Sequence, residues 1–267
     1  MPNLPSSLFV GSLAKGLKIL RAFDSSGTEL GLSDLVRKTG LDKNSVQRLA
    51  NTLYLEGFLY KDEISRRFRP SLAWLELANA YYWSDPLVAL AMPKLIDLSR
   101  ELGETVNLAR LAQAHVIYVF RLPSTKSRFP ATIAGSKLPA LGTASGRAIL
   151  ATWDQEARDN ALRDWPLFAA TSATIMDRTR IAEDIALAAR DGYSITYDQA
   201  LVNEISIAAP IRNVAGCAVA AVQCSVSRLV WEPEQIGTKI VPALTTTANS
   251  ILDPSALGNN SKKMQRG

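Results

Sequence analysis

LSDLVRKTGLDKNSVQRLANTLYLEG, which runs from Leu32 to Gly57, decides the fold of the first part of the chain. The pattern predicts two short helices with a tight break between them. The first runs from Ser33 to Thr39 and is closed by Gly40, because glycine readily adopts the left-handed conformation that follows a helix end. The second opens at Asp42, whose carboxylate can accept hydrogen bonds from the free backbone amides of the first turn.

The second helix has two different faces. Apolar residues at Val46, Leu49, Ala50 and Leu53 recur at helical spacing and form one of them. The other face is polar and basic, and such side chains can hydrogen-bond phosphates and base edges together. An ordinary solvated helix shows the same spacing, so the face alone leaves both interpretations open. The residues that we expect to contact DNA are Lys43, Asn44, Ser45, Gln47, Arg48 and Asn51, with Ser33 on the preceding helix.

The sequence after these helices predicts a small basic hairpin. In FLYKDEISRRFRP, residues 58–70, the strands are Phe58–Lys61 and Arg67–Pro70. Arg66 and Arg67 are suited to contact the phosphates beside the groove that the helix enters.

The sequence before them predicts one more helix, from Ser12 to about Asp24, with Leu13, Leu17 and Leu20 facing inward. Three helices followed by a two-stranded hairpin is the order of a winged helix-turn-helix. Residues 1–11 carry prolines and no charge, and we expect a flexible arm there.

Composition and charge limit the possible partners. The chain has 267 residues, enough for two domains, and no apolar run approaches the roughly 20 residues that cross a bilayer. Its start does not resemble a secretory signal, and two cysteines indicate a reducing compartment, so we expect a cytoplasmic protein without a membrane partner. Residues 12–70 hold eleven Lys and Arg against seven Asp and Glu. A basic first quarter on a slightly acidic body indicates a polyanion partner for that quarter.

The remainder of the chain predicts a helical linker followed by an α+β body. Asp85 and Pro86 are a favoured helix start, and that helix ends at Gly103. The aromatic side chains Trp74, Tyr81, Tyr82 and Trp83 suggest packing at a domain or subunit interface, with a simple core role as the alternative. Because the first two strands of the body form a hairpin, the sheet is at least partly antiparallel. Strands are predicted at 105–113, 115–122, 131–134, 193–197, 205–211 and 218–226, and helices from about Thr143, at 154–164, 177–191 and 232–251.

Six segments, in order, resemble the IclR family of bacterial transcriptional regulators. They are SLAKGLKILRAF, LSDLVRKTGLDKNSVQRLANTLYLEGFL, GETVNLARL with VIYVFRL, LPALGTASGRAILA, DGYSITYDQALVNEISIAAPI and VAAVQCSVS. The resemblance implies an N-terminal winged helix at 12–70, a linker helix at 71–86 and a GAF-like effector-binding domain at 87–253 with a central antiparallel sheet. It also implies homodimers or homotetramers on a double-stranded DNA operator. We expect residues 254–267 to be a disordered tail.

The resemblance also implies a pocket for a small organic effector. Leu141 stands where the family commonly has His, Ser145 where Leu is usual, and Thr196 where many members have Asp, so we expect a less charged pocket that is roomier near Ser145. Cys224 lies between two pocket residues and should face the other way. The implied effector-binding residues are Thr143, Ala144, Ser145, Gly146, Thr196, Ser206, Gln223 and Ser225.

The sequence contains few of the residue patterns that enzymes use for catalysis. His115 is the single histidine and falls at a hairpin turn, so a His-based triad or multi-His metal site is not expected. Cys217 and Cys224 are interpreted as core residues, and no phosphate loop or dinucleotide fingerprint is present. We therefore predict no catalytic residues, no metal and no cofactor. A module whose winged helix binds protein is a third possibility, against which the basic hairpin argues.

The predicted function is a ligand-responsive transcriptional regulator, a repressor, with an activator of the same architecture as the alternative. The effector would be a carboxylate or an aromatic compound of a catabolic pathway. Its binding would act on the DNA-binding part through the helices between Ser71 and Leu102.

Overall fold

The computed structural model describes residues 8–24, 27–124 and 133–251. The chain divides into two compact units, residues 1–84 and 85–267. The predicted tail at 254–267 and most of the predicted arm at 1–11 lie outside the described residues. Within the described ranges, no helix is both long enough and apolar enough to span a membrane.

The first unit has the predicted order of three helices, a hairpin and a further helix. A small core of Ile19, Leu35, Val46, Leu59 and Phe68 holds these elements together. Gly40 closes the second helix in the left-handed conformation, with φ at 65°. The elements are α1 (Gly11–Leu20), α2 (Leu32–Thr39), α3 (Lys43–Leu55), β1 (Leu59–Lys61), β2 (Phe68–Pro70) and α4 (Ala73–Ser84).

The inward face predicted for α1 is partly wrong. Leu13 and Leu17 are exposed, whereas Gly16 and Ile19 are buried and Leu20 packs against the core. The helix is apolar over two adjoining stripes, and only the stripe with Gly16 and Ile19 faces the rest of the unit. Periodicity located the apolar side of α1 but could not tell which stripe has a partner.

The aromatic residues of α4 divide into two groups. Trp74 packs edge-to-face on Phe23 with ring centroids 6.2 Å apart, and its indole N–H donates to the Phe58 carbonyl oxygen. Trp74 therefore belongs to the core of the first unit, against the interface that we predicted for it. Tyr81 and Trp83 remain exposed.

The second unit is built on a six-stranded, fully antiparallel sheet in the order β5-β4-β3-β8-β7-β6. The antiparallel α+β prediction is therefore confirmed. The strands are β3 (Thr105–Ala112), β4 (His115–Leu122), β5 (Lys137–Pro139), β6 (Ser194–Tyr197), β7 (Glu204–Arg212) and β8 (Ala218–Ser227). The helices are α5 (Pro86–Leu102), α6 (Ala144–Leu150), α7 (Gln155–Asp164), α8 (Arg178–Asp191), α9 (Pro233–Gln235) and α10 (Val241–Ser250), with a π-helical turn at Ile236–Ile240.

The strand predicted at 131–134 is misplaced where the structure describes it. Ile133 and Ala134 lead into a turn at Gly135, where φ is +89°, and the first two residues of the prediction lie outside the described part. The strand begins only at Lys137, because the turn must first bring the chain alongside β4, where Pro139 pairs with His115.

One helix covers the polar face of the sheet. All seven residues of α6 are buried, and its Ala144 and Ala148 pack on Ala208 of β7. Because side chains alternate along a strand, Ser206 lies on the same face as Ala208. The sheet and α6 therefore enclose the region in which most of the predicted pocket residues lie.

Candidate DNA interface and effector pocket

The local structure of α3 presents its polar face to solvent. The Asp42 carboxylate accepts a hydrogen bond from the Ser45 backbone N–H at 2.8 Å and fixes the start of the helix. Val46 and Ala50 are fully buried, so the opposite side of α3 must point outward. Of the predicted DNA-contacting residues, Lys43, Asn44, Gln47, Arg48 and Asn51 are exposed, as is Ser33 at the start of α2, and Ser45 is half-buried.

The tip of the hairpin is held by one carboxylate. Asp62 accepts backbone hydrogen bonds from Ile64 at 3.1 Å and from Ser65 at 2.6 Å, and the hydrogen bonds from Ser65 lower the pKa of Asp62. Arg66 follows with a φ of 59° and is exposed. The tip is thus a tight turn that presents Arg66 to solvent.

Arg67 is placed differently from Arg66. Its Nη2 donates to the Asp34 carboxylate at 2.8 Å and to the Glu29 carbonyl oxygen at 2.8 Å. Asp34 also accepts from the Gly31 backbone N–H, and that hydrogen bond, followed by the charge of Arg67, lowers the pKa of Asp34. Arg67 therefore ties the hairpin to α2, a role that the pattern of basic residues did not reveal.

The predicted pocket residues of the sheet share one face. Thr196 of β6 is opposite Ser206 of β7, and Ser206 is opposite Ser225 of β8. Ser225 is in turn opposite Thr105 of β3, so a row of hydroxyl groups crosses four strands. Gln223 lies two pairs further along β8 and, by alternation, points to the same side.

These side chains form a connected hydrogen-bond network. The Gln223 Nε2 donates to the Ser206 hydroxyl oxygen at 3.0 Å and to the Ser225 hydroxyl oxygen at 2.7 Å. The Ser206 hydroxyl donates to Glu204 Oε1 at 2.7 Å. Cys224 is buried on the opposite face, as predicted, and burial raises the pKa of its thiol.

The start of α6 closes this face. The Thr143 hydroxyl donates to the Ala140 carbonyl oxygen at 3.1 Å and accepts from the Gly146 N–H at 3.0 Å, so it is engaged in capping the helix. A Cβ atom at Gly146 would lie 2.0 Å from the same carbonyl oxygen, and only glycine fits there. Ser145 is fully buried, and its hydroxyl has no hydrogen-bond partner among the described residues.

The hydrogen-bond network and the polar residues next to it form one polar cluster on this face of the sheet. Four of its residues were not predicted from the sequence: Asn107, Tyr118, Arg121 and Glu204. Asn107 donates to Gln223 and accepts from the Arg121 Nη1 at 2.9 Å. Burial raises the pKa of Tyr118 and of Glu204 and lowers the pKa of Arg121. Their signal was available as polar residues within the otherwise apolar strands β3, β4 and β7.

A buried arginine supports α6 from behind. Arg147 Nη1 donates to Asp184 of α8 at 2.7 Å, and its Nε donates to the Leu141 carbonyl oxygen at 2.9 Å. Its Nη2 reaches the Gln199 side-chain oxygen at 3.4 Å. This one side chain therefore joins α6 to α8 and to the loop after β6.

The prediction that both cysteines are core residues is wrong for Cys217. That residue is exposed, because it belongs to the turn before β8, where its backbone N–H donates to the Asn213 side chain.

The family models and relatives agree with these two units. The model of the IclR helix-turn-helix domain matches residues 12–63, and that of the bacterial transcriptional regulator IclR C-terminal region matches residues 80–252. The p-hydroxybenzoate hydroxylase transcriptional activator of Acinetobacter baylyi is 26% identical over 248 residues, which are 91% of each chain. The transcriptional repressor IclR of Escherichia coli is 30% identical over 193 residues, 71% of this chain and 70% of the relative.

A solved structure shows the same fold. The IclR homolog of Microbacterium hydrocarbonoxydans, crystallised in complex with 4-hydroxybenzoate, superposes with a TM-score of 0.72 at 24% identity. The match covers 90% of this chain and 97% of that one.

Proposed function

Because the chain belongs to the IclR family of bacterial transcriptional regulators, we propose that it is a repressor that binds an operator through α3 and releases it in response to a small organic effector. Activation by the same architecture is the second candidate, and the activator from Acinetobacter baylyi favours it. The protein would act in the cytoplasm, where the bacterial chromosome lies.

The observation that carries the proposal is the geometry of α3. Its apolar side is buried in the first unit, and the polar and basic residues between Lys43 and Asn51 face solvent. A helix of this kind can enter the major groove, where Arg and Gln side chains distinguish base edges. Arg48 and Gln47 would read bases, whereas Arg66 on the hairpin would contact the backbone.

The effector would occupy the space between α6 and the polar face of the sheet. Amide and hydroxyl groups of Gln223, Ser206 and Ser225 line that face, beside Thr196. They can orient a carboxylate or an aromatic compound, and 4-hydroxybenzoate, bound by a relative of the same fold, combines both features. To regulate, the effector must bind two arrangements of the protein with different affinity.

The second unit would act as a binding module and carry out no catalysis. Its relatives are transcriptional regulators. The polar cluster consists of amide, hydroxyl, guanidinium and carboxyl groups. Its hydroxyl groups at Ser206 and Ser225 accept hydrogen bonds from the Gln223 side chain. We propose that they serve recognition.

Self-association is the remaining part of the proposal. The apolar residues Leu72, Leu75, Leu77 and Trp83 on and before α4 are exposed, which is costly for a helix that stays solvated. A homodimer, or a tetramer of two such dimers, would cover them. Two copies of α3 spaced by whole turns of DNA would also raise affinity and selectivity.

A selection from random duplexes tests the DNA-binding part. The full-length protein should enrich one sequence with related half-sites. Arg48→Ala should cost about 1–3 kcal/mol on that sequence and relax the preference at one position, whereas Arg66→Ala should weaken all sequences alike. Enrichment of no sequence, or identical losses for both variants, would contradict the proposed reading helix.

A reporter gene placed under control of the enriched sequence distinguishes repression from activation. Loss of expression when the protein is present supports the repressor, and gain of expression supports the activator.

A further inference from the structure

We infer that Arg121 is the residue that anchors the charged end of an acidic effector, and that Ser145 faces the same ligand. The inference rests on the effector pocket proposed above and names the chemistry that the pocket selects, a carboxylate. Neither residue carries a charge-binding role in the sequence-level prediction.

Two buried polar atoms in this cluster have unused hydrogen-bonding capacity. Arg121 Nε and Ser145 Oγ are both buried without a partner among the described residues, and Ser145 is fully inaccessible to solvent. Buried polar groups are nearly always paired, because an unpaired one loses its hydration without compensation. A ligand that accepts hydrogen bonds from both atoms would remove that cost.

The two atoms belong to the same face of the sheet. Arg121 donates to Asn107, Asn107 donates to Gln223, and Gln223 is opposite Ala208. Ala208 packs on α6, the helix that carries Ser145. The two unpaired atoms therefore belong to one cluster between α6 and the sheet, and both residues act on the pKa of Tyr118 in that cluster.

Arg121 is already oriented for this task. Its Nη1 donates to Asn107 at 2.9 Å, and Asn107 is held by Gln223. This leaves the Nε edge of the guanidinium for another acceptor. A guanidinium edge offers two parallel N–H groups, a geometry that matches the two oxygens of a carboxylate.

Glu204 is the charge that competes for Arg121. Its Oε1 accepts from the Ser206 hydroxyl at 2.7 Å, and burial raises the pKa of its carboxyl group. Burial disfavours the ionised carboxylate and so reduces the negative charge that Glu204 directs at Arg121, whereas the hydrogen bond from Ser206 holds Oε1 on the hydroxyl row. An incoming carboxylate can therefore use the guanidinium while Glu204 stays with the hydroxyl row of the sheet.

The test is a thermal-shift and calorimetry screen of aromatic and aliphatic monocarboxylates, each paired with its uncharged carboxamide. Full-length wild type should bind one or more carboxylates and discriminate against the matching amides. Arg121→Met should weaken the best carboxylate about tenfold to a hundredfold. Ser145→Ala should weaken it by a smaller factor. Arg212→Met, on the exposed end of β7, is the matched control and should leave binding unchanged.

Arg121→Lys keeps the inference falsifiable if Arg121→Met does not fold. Lysine retains the positive charge but lacks the two parallel N–H groups of the guanidinium, so the affinity for the carboxylate should still fall. Arg212→Lys should leave that affinity unchanged. Equal carboxylate affinity in wild type and Arg121 variants would overturn the inference. Binding of uncharged compounds alone would also overturn it and would leave the proposed effector pocket intact. Binding of no compound at all would overturn both.

Discussion

At the scale of single residues, a close approach of two backbone segments explains the glycine at position 146. The residue lies in the first turn of α6, and its α-carbon faces the backbone of Ala140. Glycine was expected there as a ligand-binding position. The structure gives it a clear packing reason in addition, because no side chain fits between the two segments.

Gly146→Ala should therefore destabilise the protein. The added Cβ would lie 2.0 Å from the Ala140 carbonyl oxygen, so backbone must shift, at a cost of about 1–3 kcal/mol or more. Chemical denaturation of the two proteins measures the difference. Gly142→Ala is the matched control four residues earlier, where nothing lies within 4 Å of the added atom. Equal stability of wild type and Gly146→Ala would show that the loop yields without strain.

At the scale of elements, the sequence predicted the helix caps and turns but not the side-chain hydrogen bonds between elements. Asp42 and Gly40 fixed the ends of α3 and α2, because capping depends on residues next to each other in the chain. The bond between Arg67 and Asp34 depends on residues far apart in sequence, and so does the link from Asn107 to Gln223. The family resemblance supplied Thr196, Ser206 and Ser225 as predicted pocket residues. Thr105, Arg121 and Glu204, which the fold brings beside them, were not predicted.

Arg147 joins α6 to α8 and to the loop after β6, so its replacement should lower the stability of the protein. Arg147→Met would leave the Asp184 carboxylate largely buried without its guanidinium partner, at a cost of about 3–5 kcal/mol. Urea denaturation of the purified protein provides the measurement.

Arg180→Met provides the control for that experiment. Arg180 also approaches Asp184, at 3.6 Å, but its side chain is 58% exposed. Solvent screens such a pair, so the expected loss is below about 1 kcal/mol. Similar losses for the two variants would show that the buried arginine is not what fastens α6 to α8.

At the scale of the whole molecule, the proposed self-association rests on the exposed apolar residues of α4. Tyr81 and Trp83 were predicted to pack at an interface, and both remain exposed in the single chain, Trp83 at 85%. Trp74 shows why the aromatic cluster could not be assigned from sequence: its partner, Phe23, is distant in the chain.

Replacing Leu75 and Trp83 by lysine should weaken self-association by at least about tenfold, because each lysine would be buried in the proposed interface. Sedimentation equilibrium should find wild type as a dimer or tetramer and the double variant shifted toward monomer. Leu187→Lys, at an exposed position on α8, should keep the wild-type assembly. A monomeric wild type at all accessible concentrations would exclude this role for α4.

Binding of a polyanion by the first unit is the central claim, and its dependence on salt tests it most directly. Fluorescence anisotropy with the selected duplex should give a logarithm of affinity that falls linearly and steeply with the logarithm of salt concentration. Arg66→Ala should make the slope shallower by about one for each phosphate contact removed, two in a dimer with two hairpins on DNA. An affinity that does not change with salt, or a slope that is the same in Arg66→Ala, would contradict the account.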